Sequence, residues 1–336
     1  MKRMLGILII CLLTLSLVAC GSQTTESTSP EENVAVEPIK LSLNHVGATD
    51  HPYHTGSLKF AELIEMYTDG AIKVDVFPAS QIASGAKAVE YVQAGTLDIA
   101  LESTMALSNF VPEVGVLDMP YLFSSKEEAF SIINGELGKK LEEAAEAKGF
   151  KILDWWDNGF RSIVSTKGPV ENPSDLVGLK IRTPESKVFL TTFETLGAIP
   201  TPMAVSEVFS SLQLGVIDAA ENSDSNNIKN NYTEICPYYS VTKHIYTFEP
   251  LVMSLDKFNS FTPEQQEAIM KAAKEAGNVQ RFESMAMDEK NMDTIRATGV
   301  SLNIVEDISE FQAACDPVYE AFPEFKEFLD IIEASK

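Results

Sequence analysis

Residues 92–100 read VQAGTLDIA, and residues 212–220 read LQLGVIDAA. Both follow the pattern apolar-Gln-x-Gly-x-apolar-Asp-x-Ala, 120 residues apart. Each follows a helix-like stretch, AVEYVQA (88–94) and EVFSSLQL (207–214). Gly95 and Gly215 therefore stand where a helix C-terminus favours a residue with positive φ. The segments that follow, LDIAL (97–101) and IDAAE (217–221), read as short buried strands. Two such helix–glycine–strand units predict two similar α/β lobes.

The rest of the chain alternates in the same way. IKLSLNH (39–45) and IKVDVFP (72–78) alternate as strands do. KILDWW (151–156), RSIVST (161–166), GLKIRT (178–183) and GVSLNIV (299–305) supply further strands. HTGSLKFAELIEMYTDG (54–70) and SKEEAFSIINGELGKKLEEAAEAKG (125–149) read as helices ending at glycine. The stretch from Thr262 to Gly299 opens with Pro263 and with Gln265 three residues after Thr262, a capping-box start. Its apolar residues Ile269, Ala272, Ala276, Val279, Phe282 and Met285 predict one helix long enough to run along both lobes. A break into two helices at Gly277 is the alternative.

The chain opens with a leader pattern. Lys2 and Arg3 precede an apolar run, Met4–Val18, too short for an ordinary spanning helix. LVAC (17–20) resembles a bacterial lipobox, so residues 1–19 are expected to be a lipoprotein signal and Cys20 the lipidated residue. A plain signal ending in small residues is the alternative. Residues 20–37 are rich in Ser, Thr, Glu and Pro and read as a solvated tether. The expected location is outside the cytoplasm, anchored to the cell membrane by lipid. No other run reaches spanning length.

The 336 residues carry 26 basic and 49 acidic side chains, a formal net charge of −23. Such acidity disfavours nucleic acid and anionic lipid as partners. Past the leader, only Cys236 and Cys315 remain besides Cys20. They fit either a disulfide or two buried thiols.

Only four arginines follow the leader, Arg161, Arg182, Arg281 and Arg296. The last two lie on the long helix, where solvent contact is expected. Arg182 sits in GLKIRTPES (178–186), at the end of a strand and before a helix start. That is where α/β lobes bind ligands, and the following helix N-terminus also favours an anion. Arginine meets a carboxylate through two parallel hydrogen bonds and stays charged in a pocket. An ion pair with one of the many carboxylates is the alternative.

GLKIRTPES and LGAIPTPMAVSEVFSSLQLGVIDAAEN (196–222) resemble the solute-binding proteins of TRAP transporters, the DctP family. DHPYHTGSLKFAELIE (50–65), VFPASQIASG (76–85), VQAGTLDIALEST (92–104) and FVPEVGVLDMPYLF (110–123) resemble it too. So do YYSVTKH (238–244) and LVMSLDKFNSFTPEQQEAI (251–269), which extends the match in order over roughly residues 38–300. The resemblance implies an α/β, two-lobe "Venus flytrap" of the periplasmic-binding-protein kind, braced by one long helix. It implies capture of an organic acid for an ion-gradient-driven membrane permease, with no cofactor. Lobe I is expected at 38–158 plus 248–287, and lobe II at 159–247 plus 288–336. The family's carboxylate-binding arginine falls on Arg182 and a supporting one on Arg161. Asn222 and Glu102 fall on polar ligand contacts, and Glu185 and Ser186 lie beside Arg182. Two departures bear on the pocket. Val205 stands where many relatives carry an aromatic ring, and Ala219 where glycine is usual.

On these residues the expected ligand is a hydroxylated monocarboxylate such as a hexuronate. An ionised Glu102 would repel a second carboxylate and accept hydrogen bonds from hydroxyls. A C4-dicarboxylate, or a sensor role beside a membrane histidine kinase, is the alternative. His45, His51 and His54 match no metal-ligand spacing, and no metal is expected. His51 is expected to face the cleft. Trp155 and Trp156 should point to opposite faces of their strand, one of them lining the cleft. No nucleophile elbow, phosphate loop or zinc-protease signature suggests an enzyme. The chain is expected to be a monomer.

Overall fold

A computed structural model describes residues 37–336. The leader 1–19, Cys20 and the tether up to residue 36 lie outside the described residues. Ten strands build the fold: β1 (Ile39–His45), β2 (Ile72–Phe77), β3 (Ile99–Leu101), β4 (Phe150–Ser165), β5 (Lys180–Thr183), β6 (Ile199–Pro202), β7 (Ala219–Ser223), β8 (Tyr238–Val241), β9 (Tyr246–Ser254) and β10 (Ser301–Ile304). The first lobe's sheet runs β2-β1-β3-β9-β4, parallel up to β3 and antiparallel across β9. The second lobe's sheet runs β6-β5-β7-β4-β8-β10. The architecture is the expected α/β, two-lobe fold.

KILDWW and RSIVST are one strand, not two. β4 pairs with β9 from Phe150 to Phe160, then with β7 from Arg161 and with β8 from Ile163. Gly159 carries the chain through this crossing with φ +104, and the register shifts between Asp157 and Gly159. A side chain would be strained there, so glycine permits a bulge instead of ending the strand. The helix read over 125–149 is in turn two helices, Lys126–Ile133 and Glu136–Ala147, separated at Asn134 and Gly135.

The paired helix–glycine–strand units form as read. Helix Ala86–Gln93 reaches Gly95 at φ +70, and helix Val205–Gln213 reaches Gly215 at φ +69. The strands β3 and β7 follow.

The long helix is unbroken from Pro263 to Ala297, and its capping box of Thr262 and Gln265 is formed. Its first half packs Ile269, Ala272, Ala273 and Ala276 against Phe60, Leu63 and Trp156 in the first lobe's core. Its far end places Ile295 in the second lobe's core with Val164, Val208 and Tyr239. Beyond Gly277 the buried face is Gln280, Ser284, Asn291 and Ile295. Phe282 and Met285 are exposed, because the face continues at positions 280 and 284, one or two residues off the apolar ones. Arg281 is not a solvent-facing cation. Its Nη1 donates to Asp154 Oδ2 at 3.0 Å and to the Trp155 carbonyl at 2.7 Å.

Trp155 and Trp156 do point to opposite faces, each into a different core. Cys236 and Cys315 are separate buried thiols, and burial pushes the pKa of each up to about 12, which disfavours the thiolate. The last helix, Lys326–Ser335, packs on helix Glu136–Ala147, which rests on β4. The tail thus returns to the first lobe's flank, whereas the boundaries read from sequence keep all of 288–336 with the second. No helix among the described residues is long and apolar enough to cross a membrane.

Candidate functional site

The cavity between the lobes encloses about 580 Å³ of empty space, mouth included. That is the scale of a small-molecule site. Glu102, Ser103 and Gly85 line it from the first lobe, and Arg182, Val205 and Asn222 from the second. Glu102, Arg182 and Asn222 sit at or just beyond the carboxyl ends of β3, β5 and β7, where the connection to the next helix opens.

Arg182 is 4% exposed. Its Nε and Nη2 donate to the Met203 carbonyl at 3.1 and 2.8 Å. That fixes one edge of the guanidinium and leaves the Nη1–Nη2 edge free of protein acceptors among the described residues. Burial pulls its pKa down, and Tyr232 and Glu221 oppose that pull. No carboxylate lies within ion-pair distance among the described residues. The N-terminus of helix Val205–Gln213 faces the same space, with Ala204 and Val205 on the cavity wall. Backbone N–H groups at a helix start add to the attraction for an anion.

Arg161 also reaches the cavity wall, but its charge is taken. Its Nε donates to Glu221 Oε2 at 2.5 Å and its Nη2 to Oε1 at 2.9 Å. His244 Nε2 lies 3.3 Å from the same Oε2. Burial pushes the Glu221 carboxyl up, but Arg161 and His244 outweigh it and hold the pKa below the usual range. Arg161 therefore supports the floor of the site.

Asn222 Oδ1 accepts from the Ser223 backbone N–H at 2.9 Å, leaving its amide donor toward the cavity. Glu185 lines the mouth, and its carbonyl accepts from Asn109 Nδ2 of the first lobe at 2.8 Å. Ser186 precedes helix Lys187–Thr195 but is not on the cavity wall, and its buried Oγ has no partner. His51 is not on the wall either. It caps helix Pro52–Tyr67, its Nδ1 accepting from the Tyr53 N–H at 3.2 Å. Burial, then His45, lowers its pKa to about 3, so it is neutral. Neither tryptophan lines the cavity.

The surroundings of Glu102 oppose the expected ionised state. Gly85 N–H donates to its Oε2 at 3.2 Å, while Oε1 is buried without a partner. Burial, then the neighbouring Glu249, raises its pKa well above the usual range. These surroundings favour the protonated acid, which can donate as well as accept.

Sequence reasoning missed Glu249, Asn158 and Asn226. Glu249 lies on β9, and its Oε2 accepts from Asn158 Nδ2 at 3.0 Å. Asn226 Nδ2 donates in turn to Asn158 Oδ1 at 3.1 Å. All three are buried and line the cavity. The one available signal was a glutamate inside TFEPLVM (247–253), an otherwise apolar strand.

A buried arginine without a carboxylate partner among the described residues, over a polar cleft between two α/β lobes, defines a ligand-binding protein for small anions. The chain belongs to the bacterial extracellular solute-binding proteins, family 7, the DctP family, which it matches over residues 43–325. It is a TRAP-type solute-binding protein, not an enzyme, of a family that acts outside the cytoplasm with membrane permeases. One solved relative is a TRAP periplasmic solute-binding protein from Sulfitobacter sp. NAS-14.1 with bound β-D-galacturonate. It is 33% identical, covers 87% of this chain and 99% of its own, and has a TM-score of 0.85. The 2,3-diketo-L-gulonate-binding periplasmic protein YiaO of Escherichia coli is 32% identical, over 74% of this chain and 76% of its own. The C4-dicarboxylate-binding periplasmic protein DctP of Rhodobacter capsulatus is 34% identical, over 79% and 80%.

Proposed function

We propose that the protein captures a sugar acid with one carboxylate and a hydroxylated body, of the hexuronate kind, for a TRAP permease. It works as a monomer held to the membrane by lipid at Cys20. The carrying observation is Arg182, a buried guanidinium with a free donor edge and no carboxylate partner among the described residues. A ligand carboxylate completes it through two parallel hydrogen bonds. Asn222, Glu102, Asn158 and Glu249 offer donors and acceptors that suit hydroxyl groups. Val205 leaves more room than an aromatic ring would. The galacturonate-bound and diketo-gulonate-binding relatives agree with this ligand class. The Rhodobacter capsulatus relative favours a C4-dicarboxylate as the second reading.

A thermal-shift panel of galacturonate, glucuronate, lactate, malate and succinate tests the class. The sugar acids should stabilise most, and a response confined to succinate and malate replaces this reading with the second. Arg182→Ala should fold and lose about 2–5 kcal/mol of ligand affinity, because a desolvated charge pair is broken. Arg182→Lys should rescue little, since an ammonium lacks the planar fork. Wild-type affinity in the alanine variant excludes Arg182 as the clamp.

A further inference from the structure

The cavity wall contains two buried acids, Glu102 and Glu249. Glu102 follows β3, and Glu249 lies on the adjacent strand β9. The Glu102 N–H donates to the Pro250 carbonyl at 3.3 Å, which brings Glu102 against the residue that follows Glu249 on β9. Both are buried, at 2% exposure each, and both line the cavity. Glu102 Oε1 has no hydrogen-bond partner although it is shut from bulk water. A buried carboxyl oxygen without a partner is costly unless a ligand serves it.

We propose that Glu102 and Glu249 act as one proton-holding carboxyl pair that sorts ligands by the charge of the end facing the first lobe. The inference rests on the sugar-acid reading of the site. Two neighbouring buried carboxyls cannot both ionise without strong repulsion, so the pair carries at most one negative charge. A hydroxyl group is both donor and acceptor. It can accept from a protonated glutamic acid or donate to an ionised one, so it is bound in either state. A carboxylate only accepts. It is bound when the pair is fully protonated and repelled once the pair has lost a proton. Glu249 is thus a specificity-determining residue, and a second carboxylate on the ligand costs the uptake of a proton by the pair.

The groups facing the pair are few. Arg161 from β4 and Asp118 from the 112–118 turn act on Glu249 in opposite directions, and Tyr53 from helix Pro52–Tyr67 lies beside it. Asn158 on β4 is neutral and donates to Glu249. On the Glu102 side the facing groups are Glu249 and the Gly85 N–H. Burial holds both carboxyls above the usual range, Glu249 at about 8, which sets the test window near and above neutral pH.

Calorimetric titration with galacturonate and with galactarate, the corresponding diacid, tests the proposal between pH 6 and 9. Ligand carboxyls ionise near pH 3–4, so roughly all stay charged throughout. Galacturonate affinity should change less than about threefold, whereas galactarate affinity should weaken by about tenfold per pH unit once the pair titrates. Buffers of different ionisation heat should report close to one proton taken up per galactarate at pH 9. Glu249→Gln should tighten galactarate binding at pH 9 and remove the uptake. Glu102→Gln should do the same and serves if the first variant does not fold. Equal pH dependence for the two acids, or uptake that persists in both variants, overturns the proposal while leaving the sugar-acid reading intact. If neither sugar acid binds, that reading fails by itself. The same comparison then runs with lactate and malate, a hydroxy monoacid and diacid, under the same two criteria.

Discussion

Arg161 and Glu221 meet edge to edge with both side chains closed to solvent, Nε to Oε2 at 2.5 Å and Nη2 to Oε1 at 2.9 Å. Arg182, two strands away in the same sheet, has only the Met203 carbonyl. The two arginines should therefore respond oppositely to loss of charge. Glu221→Gln leaves Arg161 buried without its counter-charge, at a cost of about 3–5 kcal/mol. Arg182→Ala removes a charge that had no counter-charge, so ligand-free stability should hold or rise. Urea unfolding of both variants checks this, and a Glu221→Gln midpoint equal to the parent's contradicts it.

Gly277 allows the long helix to lie close against β4. A Cβ built there would sit 1.9 Å from Asp154 Oδ2 and 2.9 Å from Trp156 Nε1. Alanine in a helix interior gains about 1 kcal/mol over glycine in propensity. Overpacking costs typically about 1–3 kcal/mol, and here it also displaces the Asp154–Arg281 pair. The steric term should win. Gly277→Ala is expected to lower the melting temperature, and a rise would show that Asp154 moves aside freely.

Lys229 of the second lobe reaches Asp50 of the first, Nζ to Oδ2 at 2.5 Å. The side-chain bond from Lys229 also lowers the Asp50 pKa. Asp50 is largely exposed, so the pair is worth about 0–1 kcal/mol and is screened by salt. Lys229→Ala should weaken ligand binding by no more than about fivefold at low salt. The difference should vanish at 0.5 M salt. A loss independent of salt would mean that the lysine acts other than by charge.

Asp118 and Glu249 link stability to pH. Burial is the main cause in both, raising Asp118 to about 7 and Glu249 to about 8. In the unfolded chain such groups ionise near pH 4. Between those values the folded state holds more protons, so this stabilisation is complete at low pH and fades as pH rises through 7 and 8. Glu221 acts in the opposite sense and is lost in acid. Melting temperature should fall from pH 6 to pH 9, and Asp118→Asn should flatten part of that fall. An unchanged slope in Asp118→Asn assigns the dependence elsewhere.

What sequence could reveal was what repeats or caps locally. The glycines at 95 and 215 announced two helix-to-strand turns, and Thr262 with Gln265 announced the long helix. Arg182 stood out because so few arginines follow the leader. Non-local pairing was hidden. Glu221, sixty residues from Arg161, gives no sign in sequence of cancelling its charge. His51 looked like a cleft residue because a capping histidine and a ligand histidine have the same neighbours in sequence. Glu102 was found, but its protonation depends on burial and on Glu249, which only the β3–β9 pairing brings near. KILDWW and RSIVST read as separate strands because the bulge that joins them at Gly159 has no sequence mark distinct from a strand end.

One strand, β4, is a member of both sheets, and β9 runs beside its first half. Its ladder with β9 shifts register between Ile152 and Asp154 and again between Asp157 and Gly159, the second just before β4 passes to the second lobe's sheet. A rotation of the lobes concentrated at the bulge beside Gly159 would separate the cleft walls without unzipping either sheet, as in a hinge rather than a shear. The backbone amides of Ile163 and Val164 should then exchange with deuterium equally slowly with and without ligand. Protection should change instead around Gly159 and at the cleft rim.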